Sequence, residues 1–260
     1  MSFAASNTQC MSARPYATFA KKLLLHSINA IETALMPRRC VFCGVIARDD
    51  ERFICDGCTR DLPWIAHSCQ YCALPVAGAL PPGVPCANCQ LEPPLITAAV
   101  APLHYSFPVD TAIKAFKFHR KLHYQPAFSD ILMSVSARLP VGIDALLPVP
   151  LYRWRRVRRG FNQAAELGAP VGKAMSLETL KNVARVSPTP YQSGLNAAAR
   201  RRNLKSAFHV KGRIDARHVL IVDDVITTGE TCRQLARVLL DNGAAKVSVL
   251  ALARASKDAL

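Results

Sequence analysis

Eight of the ten cysteines in this 260-residue sequence fall into four pairs with two residues between the members of each pair. The pairs are Cys40 and Cys43, Cys55 and Cys58, Cys69 and Cys72, and Cys86 and Cys89. Two thiolates at this spacing on a tight turn can bind one tetrahedral ion, and two such pairs complete a four-cysteine zinc site. The pattern therefore predicts two structural zinc ions.

The lengths of the intervening segments favour two zinc ribbons in tandem. Eleven residues separate Cys43 from Cys55 and thirteen separate Cys72 from Cys86, which is short enough for a hairpin in each case. Spacing alone leaves an interleaved pairing open. Iron-sulfur ligation and disulfides are weaker alternatives, because nothing else indicates redox chemistry and a reducing compartment disfavours disulfides. Four thiolates leave no open coordination position, so we assign the metals to folding or docking rather than catalysis.

The second candidate site is the peptide at 219–231. An apolar run ends in Asp223 and Asp224, and a small, hydroxyl-rich turn then leads into a helical pattern. In an open α/β sheet, ligands bind at the carboxyl ends of the strands, and backbone amides at a helix N-terminus favour phosphate. The two carboxylates suit the hydroxyls of a ribose beside that phosphate, with Mg²⁺ nearby. The alternative is an ordinary helix cap.

The net charge of +15 is concentrated in one part of the chain. Residues 151–213 contain 14 Lys or Arg, against only Glu166 and Glu178. Such a segment indicates an anionic partner, such as a phosphate, a nucleotide or nucleic acid. A solvated, solubilising face is the alternative.

The elements that must position these residues follow from hydrophobic periodicity. A helix is predicted at 17–35, packed on the zinc module, with an amphipathic membrane or transit segment as the alternative. Beyond Pro94, strand and helix patterns alternate, which predicts an α/β domain with a mostly parallel sheet. The strands are expected at 96–105, 144–150, 180–186, 217–222 and 247–252, and the helices at 109–118, 126–139, 161–175 and 231–242, with a basic loop between 150 and 161.

We expect three parts: an N-terminal extension at 1–36, a double zinc ribbon at 37–94 and the α/β domain at 95–260. The sequence contains no apolar stretch of about 18 residues and no secretory signal pattern. A cytoplasmic protein without stable membrane insertion is therefore predicted.

The peptide at 219–231 resembles the signature that binds phosphoribosyl pyrophosphate (PRPP) in type I phosphoribosyltransferases. The resemblance implies a Rossmann-like domain that binds PRPP with Mg²⁺, with Asp223 and Asp224 on the ribose hydroxyls and as candidate catalytic residues. The 5'-phosphate is expected on Thr227, Thr228, Gly229, Glu230 and Thr231. Glu230 departs from the signature, because many members carry Gly or Ser at that position.

The arginine-rich segment that follows residue 150 resembles the pyrophosphate loop of the same superfamily. Arginine can form paired hydrogen bonds to phosphate oxygens, which suits this role. The candidate pyrophosphate- or DNA-binding residues there are Arg153, Arg156, Arg158, Arg159, Gly160, Asn162 and Gln163. A second group, Arg200, Arg201, Arg202 and Lys205, lies where a mobile catalytic loop is expected.

With the cysteine pairs and the peptide at 114–118, these motifs are similar to the ComF family, which includes the GntX-type proteins of Gram-negative bacteria. The resemblance implies a part in natural transformation or in the use of external DNA, with single-stranded DNA as the expected ligand. One alternative is an active phosphoribosyltransferase, a pentosyl-transferring glycosyltransferase with an unknown nitrogen acceptor. Another is a scaffold whose zinc ribbons dock a competence helicase or another DNA-uptake protein.

Overall fold

A computed structural model describes residues 38–46, 53–187 and 207–256 of the chain. The chain divides into two compact units, residues 1–55 and residues 56–260. The helix predicted at 17–35 lies outside the described residues, as do Arg200, Arg201, Arg202 and Lys205.

In the described part of the first unit, a short turn brings Arg39 opposite Ile46 in an antiparallel bridge. The amide of Val41 donates to the carbonyl of Phe53 at 3.0 Å. These contacts fold the chain back on itself around the first cysteine pair, as a zinc ribbon requires.

The second unit is built on a six-stranded parallel sheet, with β1, β8, β7, β3 and β4 in that order and β2 also paired with β8. A separate antiparallel pair is formed by β5 and β6. The strands are β1 Ala98–Val100, β2 Leu103–His104, β3 Ala145–Pro148, β4 Glu178–Thr179, β5 Val183–Arg185, β6 Phe208–Val210, β7 His218–Ile226 and β8 Lys246–Arg254. The mostly parallel sheet predicted for this domain is confirmed.

Helices cover both faces of the sheet. Two short helices, α1 Asp56–Asp61 and α2 Ala87–Leu91, precede it in the chain. The longer ones are α3 Val109–His119, α4 Tyr124–Ser134, α6 Gln163–Ala174 and α7 Glu230–Asp241, with α5 Arg153–Arg159 between the third and fourth strands and a 3-10 turn at Ser136–Arg138.

Side chains of β7 alternate between two cores, as expected for a central parallel strand buried on both faces. Val219 and Ile221 belong to the cluster that contains Leu235 of α7. On the other face, α6 lies so close that a Cβ at Gly168 would be 3.2 Å from Leu146 and 3.6 Å from Val222. Glycine at 168 therefore lets α6 pack directly on the centre of the sheet.

Three sequence predictions differ from the structure in ways that affect the site. The basic segment after residue 150 was predicted as a loop but contains helix α5. This segment is rich in arginine, which has a good helix propensity. The strand predicted to end at Val222 continues to Ile226, because β8 supplies ladder partners along its whole length. The run at 180–186 contributes only β5, which pairs outside the main sheet.

Within the part of the chain that the structure describes, no helix has both the length and the apolar character needed to cross a bilayer.

Candidate functional site

The eight paired cysteines gather into two tetrads. One contains Cys40, Cys43, Cys55 and Cys58, and the other contains Cys69, Cys72, Cys86 and Cys89. Within each tetrad, all sulfur atoms lie within 4.8 Å of one another. Consecutive pairs therefore combine, and the interleaved alternative is not what the structure contains.

The sulfur separations fit a tetrahedral zinc ion. Zinc–sulfur bonds of about 2.3 Å place tetrahedral sulfurs about 3.8 Å apart. The observed distances are 3.7 Å between Cys43 and Cys55, 3.7 Å between Cys72 and Cys86, and 4.0 Å between Cys69 and Cys89. Four thiolates of this geometry would hold a structural ion and leave no position for a substrate.

The first cysteine pair of each tetrad sits on the same kind of turn. The amide of Gly44 donates to the Cys40 carbonyl at 2.8 Å, and the amide of Ala73 donates to the Cys69 carbonyl at 2.9 Å. Both residues are left-handed, with φ of 75° at Gly44 and 56° at Ala73. Although burial raises the thiol pKa, hydrogen bonds from the backbone of Cys55 and from the turn itself lower the pKa of Cys40 to about 6. Hydrogen bonds from the backbone of Cys86 and from its own turn likewise lower the pKa of Cys69 to about 7.

The second candidate site lies at the carboxyl edge of the sheet, where β3 and β7 end side by side. Pro148 pairs with Val222, and the amide of Val149 donates to the Val222 carbonyl at 2.9 Å. The basic segment that follows β3 and the turn that follows β7 therefore start from the same edge. This is the crevice where parallel sheets bind ligands.

Asp223 lies in β7 opposite Ala251 of β8 and keeps some contact with solvent. One of its carboxylate oxygens accepts a hydrogen bond from the Asp224 amide at 2.9 Å. Burial, together with the adjacent Asp224 carboxylate, raises the pKa of Asp223 well above its ordinary value of 3.8. A group that can supply hydroxyl donors or a cation would relieve this cost.

Asp224 points to the opposite face and is only 2% exposed. Its Oδ2 atom lies 2.8 Å from Nζ of Lys117, which belongs to α3, in an ion pair without hydrogen-bond geometry. A buried carboxylate needs such a partner. Lys117 was not a predicted site residue, although it lies in the peptide at 114–118 that carried part of the family resemblance.

The turn after β7 offers an exposed, small-residue surface. Thr227 and Thr228 are exposed, and Gly229, with φ of 82°, is the N-cap of α7. The Thr228 hydroxyl accepts from the Glu230 amide at 3.3 Å. Glu230 Oε1 accepts from Gln234 Nε2 at 2.8 Å, one turn further along α7. This hydrogen bond directs the carboxylate of Glu230, the one acidic residue of the turn, along α7. Thr231 is the next residue of α7.

Helix α5 presents its arginines at the same edge. Arg153 and Arg158 are exposed, and Arg159 is partly buried, with its guanidinium 5.0 Å from the centre of the Phe118 ring. Burial lowers the pKa of Arg159, and the carboxylates of Asp224 and Asp223 partly offset this effect. Arg159 is thus within electrostatic reach of the aspartates. The side chain of Arg156 lies outside the described part of the structure.

Gly160 and Asn162 shape the end of this basic segment. Nε of Arg120 donates to the Arg159 carbonyl at 2.8 Å, and a Cβ at Gly160 would lie 1.8 Å from the Arg120 guanidinium. Gly160 also has φ of 79°, a left-handed conformation in which any other residue would be strained. Asn162 caps α6 through the Ala164 amide at 3.1 Å and donates to the Val149 carbonyl. Gln163 is buried and accepts from Arg159 Nη1 at 3.1 Å.

Comparison with known proteins identifies a domain family for each part of the chain. The double zinc ribbon domain family matches residues 31–90, and the phosphoribosyl transferase domain family matches residues 165–260. A DNA utilization protein YhgH from Salmonella typhimurium is 35% identical over 228 residues, covering 84% of this chain and 98% of its own length. Competence protein F from Haemophilus influenzae is 32% identical and covers 84% of this chain and 97% of its own length. The chain belongs to the ComF family.

A more distant member of the ComF family, competence protein ComFC from Bacillus subtilis, is 26% identical over 80% of this chain and 87% of its own length. Among solved structures, the allosteric regulatory enzyme of purine biosynthesis aligns with a TM-score of 0.34 at 18% identity, over 49% of this chain and 25% of that chain. The fold assignment rests on the family match and on the parallel sheet itself.

A broad cleft in this ComF-family structure adjoins the basic segment. It has a volume of about 650 Å³ and is lined by Arg153, Gly160, Phe161 and Arg185, among others. Arg185 lies on β5 and its guanidinium is 5.3 Å from the Phe208 ring centre. Sequence reasoning missed Arg185, because an isolated arginine in a short strand carries no motif.

Proposed function

We propose that the carboxyl edge of the sheet binds PRPP with Mg²⁺ and that the protein uses this site in DNA utilisation or uptake. The observation that carries the proposal is the pairing of β3 with β7. It brings the basic segment, the two aspartates of β7 and the turn that follows them to one edge of the sheet. PRPP carries a diphosphate and a ribose 5'-phosphate. Its binding site therefore needs cations for the phosphates and acceptors for the ribose hydroxyls, all within the length of one small molecule.

Each part of PRPP has a proposed partner at this edge. The 5'-phosphate would lie on the turn 227–231, where backbone amides and the N-terminus of α7 favour an anion. Asp223, which keeps solvent contact, would accept a ribose hydroxyl and offers carboxylate oxygens of the kind Mg²⁺ prefers. That Asp224 also accepts a hydroxyl stays a prediction, since its carboxylate is paired with Lys117.

The pyrophosphate would lie against the basic segment. Arg159 is electrostatically coupled to both aspartates, and Arg153 and Arg158 are exposed beside it. Fixed guanidinium groups at this distance offset the charge of a diphosphate. Arg156, Arg200, Arg201, Arg202 and Lys205 stay predicted contributors.

Calorimetry with PRPP at millimolar Mg²⁺ tests this assignment. We expect Asp223→Asn to weaken PRPP binding at least tenfold, because it removes a charged hydroxyl acceptor. Asp215→Asn, an exposed aspartate beside β7's amino end, is the matched control and should change affinity less than twofold. Equal affinities for wild type and Asp223→Asn would reject the site.

We further propose that the basic segment binds single-stranded DNA. Trp154 is 74% exposed on α5, between the exposed side chains of Arg153 and Arg155. An exposed aromatic ring among arginines suits sequence-tolerant binding, in which bases stack and phosphates pair with cations. Relatives named for DNA utilization and competence support this ligand class.

A salt titration with a short DNA strand measures this contribution. Replacing Arg153, Arg155 and Arg158 by Gln should reduce the slope of log affinity against log salt by about 2, since each phosphate contact contributes about 0.7 for single strands. The matched control replaces three exposed cations at the opposite edge, Arg213, Arg217 and Lys246, and should leave the slope unchanged. Identical slopes for the two variants would exclude α5 as the DNA surface.

The 650 Å³ cleft supports a second candidate function, phosphoribosyl transfer. It lies beside the proposed pyrophosphate position and is large enough for a nitrogen-containing acceptor. Release of pyrophosphate from PRPP on addition of nucleobases or single-stranded DNA would identify a transferase. PRPP binding without release under all these conditions would favour a ligand or regulatory role.

We propose the domain limits 1–36, 37–94 and 95–260, with the ribbons as the docking face for a competence helicase or another DNA-uptake protein. A cytoplasmic location is proposed because cysteine tetrads of this geometry suit thiolate metal sites, which a reducing compartment preserves. Pull-down of the helicase by full-length protein, and its loss in zinc-depleted protein, would test the docking role.

A further inference from the structure

Arg254, the last residue of β8, is a buried cation with an unusual set of partners. Its side chain is only 5% exposed. Within residues 38–46, 53–187 and 207–256, it takes part in no ion pair. Its guanidinium instead donates to backbone carbonyl groups, which satisfies the buried donors without neutralising the charge.

These carbonyl groups belong to two functional parts of the second unit. Nε of Arg254 donates to the carbonyl of Cys72, a member of the second cysteine tetrad, at 3.0 Å. Nη1 donates to the Ile226 carbonyl at 3.0 Å and also to the Thr227 carbonyl, at the start of the turn 227–231. Nη1 has a third acceptor, the carbonyl of Ala255 at 2.7 Å. One rigid, planar group thus connects the second zinc ribbon to the turn.

A cavity separates the second zinc ribbon from the turn 227–231 beside Arg254. The cavity has a volume of about 180 Å³ and is lined by Tyr71, Asn88, Gly229 and Arg254, among others. Along this cavity the two parts are not packed directly on each other. A second link crosses the same region, an ion pair between Glu92 and Arg233, but both side chains are partly exposed. Exposed pairs contribute little rigidity, whereas Arg254 makes a buried polar connection that reaches both parts.

The charge of a zinc-loaded second tetrad would also favour the position of Arg254 beside it. A Zn²⁺ ion with four thiolate ligands carries a net charge of −2, which would compensate the buried guanidinium beside it. If the second tetrad loses its ion, the turn around Cys72 loses its fixed geometry, and with it the carbonyl that orients Arg254.

We propose that Arg254 is a positioning residue that couples occupancy of the second zinc site to anion binding at the turn 227–231. This inference rests on the PRPP site proposed above. Coupling between two sites is reciprocal, so bound PRPP strengthens zinc binding at the second tetrad by the same factor by which zinc strengthens PRPP binding. A slower loss of zinc from that tetrad is the kinetic sign we expect. The contacts of Arg254 with the ribbons go to the second tetrad, so the first tetrad serves as an internal reference.

Thiol alkylation mapped by mass spectrometry measures this coupling in the full-length, zinc-loaded protein. A zinc-selective chelator and N-ethylmaleimide are added at millimolar Mg²⁺, with and without saturating PRPP. We expect PRPP to slow alkylation of Cys69, Cys72, Cys86 and Cys89 at least fivefold. Alkylation of Cys40, Cys43, Cys55 and Cys58 should change less than twofold.

Three variants assign the effect to Arg254. Arg254→Met removes the guanidinium, and Arg254→Lys keeps the buried charge but has a single ammonium group that cannot span both sets of carbonyls. Both should lose the selective protection and bind PRPP about tenfold more weakly. Arg237→Met, the same replacement at an exposed position on α7, should behave as wild type.

The outcomes separate this inference from the proposed function. If wild type binds PRPP by calorimetry but shows no selective protection, the coupling is refuted and the PRPP site stands. If folded Arg254→Lys keeps the protection, the role of the Arg254 guanidinium is refuted and the PRPP site again stands. If Arg254→Met does not fold, Arg254→Lys decides. If wild type does not bind PRPP at all, the proposed function fails and this inference fails with it.

Discussion

Carboxylates at the two edges of the parallel sheet lie in opposite electrostatic environments. At the amino edge, Asp144 accepts hydrogen bonds from the amides of Arg217 and His218 at 2.9 and 3.0 Å. At the carboxyl edge, Asp223 and Asp224 are adjacent, and Asp223 has a raised pKa. The first arrangement stabilises the start of β7, whereas in the second, burial and then the adjacent Asp224 carboxylate disfavour the charge of Asp223.

The difference shows how one strand can serve two purposes. Residues that stabilise a fold have their charges and donors satisfied by the protein itself. Residues that bind a ligand must leave part of that capacity for the ligand, which makes the empty site unfavourable. The polarity of β7 therefore separates a stabilising edge from the edge where we propose that PRPP binds, and each side of this contrast can be tested.

The largest effect is expected at Lys117. Replacing Lys117 by Met leaves the Asp224 carboxylate buried and unpaired, which should lower the free energy of unfolding by about 3–5 kcal/mol. Chemical denaturation measures the loss. The double variant Lys117→Met with Asp224→Leu should recover most of the stability, because it removes both charges. A double variant no more stable than Lys117→Met would contradict the pairing.

Asp144→Ala should have the next largest effect. It removes an acceptor from two amides at the amino edge, and hydrogen bonds to charged groups contribute about 1.5–3 kcal/mol each when buried. Because Asp144 is exposed, we expect a loss of about 1–2 kcal/mol, measured by denaturation. PRPP affinity should stay within twofold of wild type, since the change lies at the opposite edge. A marked loss of PRPP affinity would contradict the assignment of separate roles to the two edges.

Asp223→Asn should act in the opposite direction on stability. The folded-state pKa of Asp223 is raised, so its contribution to stability is present below the unfolded-state pKa and is lost as pH rises through the folded-state value. At pH 7.5 the ionised group therefore destabilises the protein. Asp223→Asn should raise the melting temperature by about 2–4 °C there, and the gain should vanish near pH 4. A lower melting temperature at pH 7.5 would contradict an unfavourable Asp223 charge in the folded protein.

The smallest effect concerns His218, whose Nε2 lies 2.9 Å from the Ser248 hydroxyl in a buried contact. Burial and Lys246 lower its pKa below the ordinary 6.5. The unfolded chain therefore binds the proton more readily, so this stability is present above pH 6.5 and is lost as pH falls below it. His218→Gln should show a shallower loss of melting temperature between pH 7 and pH 5 than wild type or the exposed control His209→Gln. Equal slopes in all three would show that the amino edge holds no titrating histidine.

Local patterns were sufficient to predict several parts of the molecule. Cysteines two residues apart must lie on one turn, so the ligands followed from spacing, whereas combining Cys40 and Cys43 with the next pair needed the fold. The apolar run of β7 was recognisable because a strand buried on both faces reads as continuous hydrophobic sequence.

The remaining features depend on contacts between distant segments. The pairing of Lys117 with Asp224 requires α3 to lie beneath β7, and no local pattern specifies that approach. Arg254 likewise looks like an ordinary strand end in the sequence, and its role follows from the carbonyls of Cys72 and Thr227 that surround it. Helix α5 could not be predicted from periodicity, because its run of arginines contains too few apolar residues to define a helical face.

Hydrogen exchange followed by mass spectrometry, with and without PRPP and Mg²⁺, tests the central claim most directly. The account predicts that PRPP slows exchange in the segments 153–163 and 223–231 together, because both belong to one site at the carboxyl edge. Exchange at the amino edge, in 142–146 and 211–218, should be unchanged. Protection at the amino edge, or protection of only one of the two carboxyl-edge segments, would contradict a single PRPP site between β3 and β7.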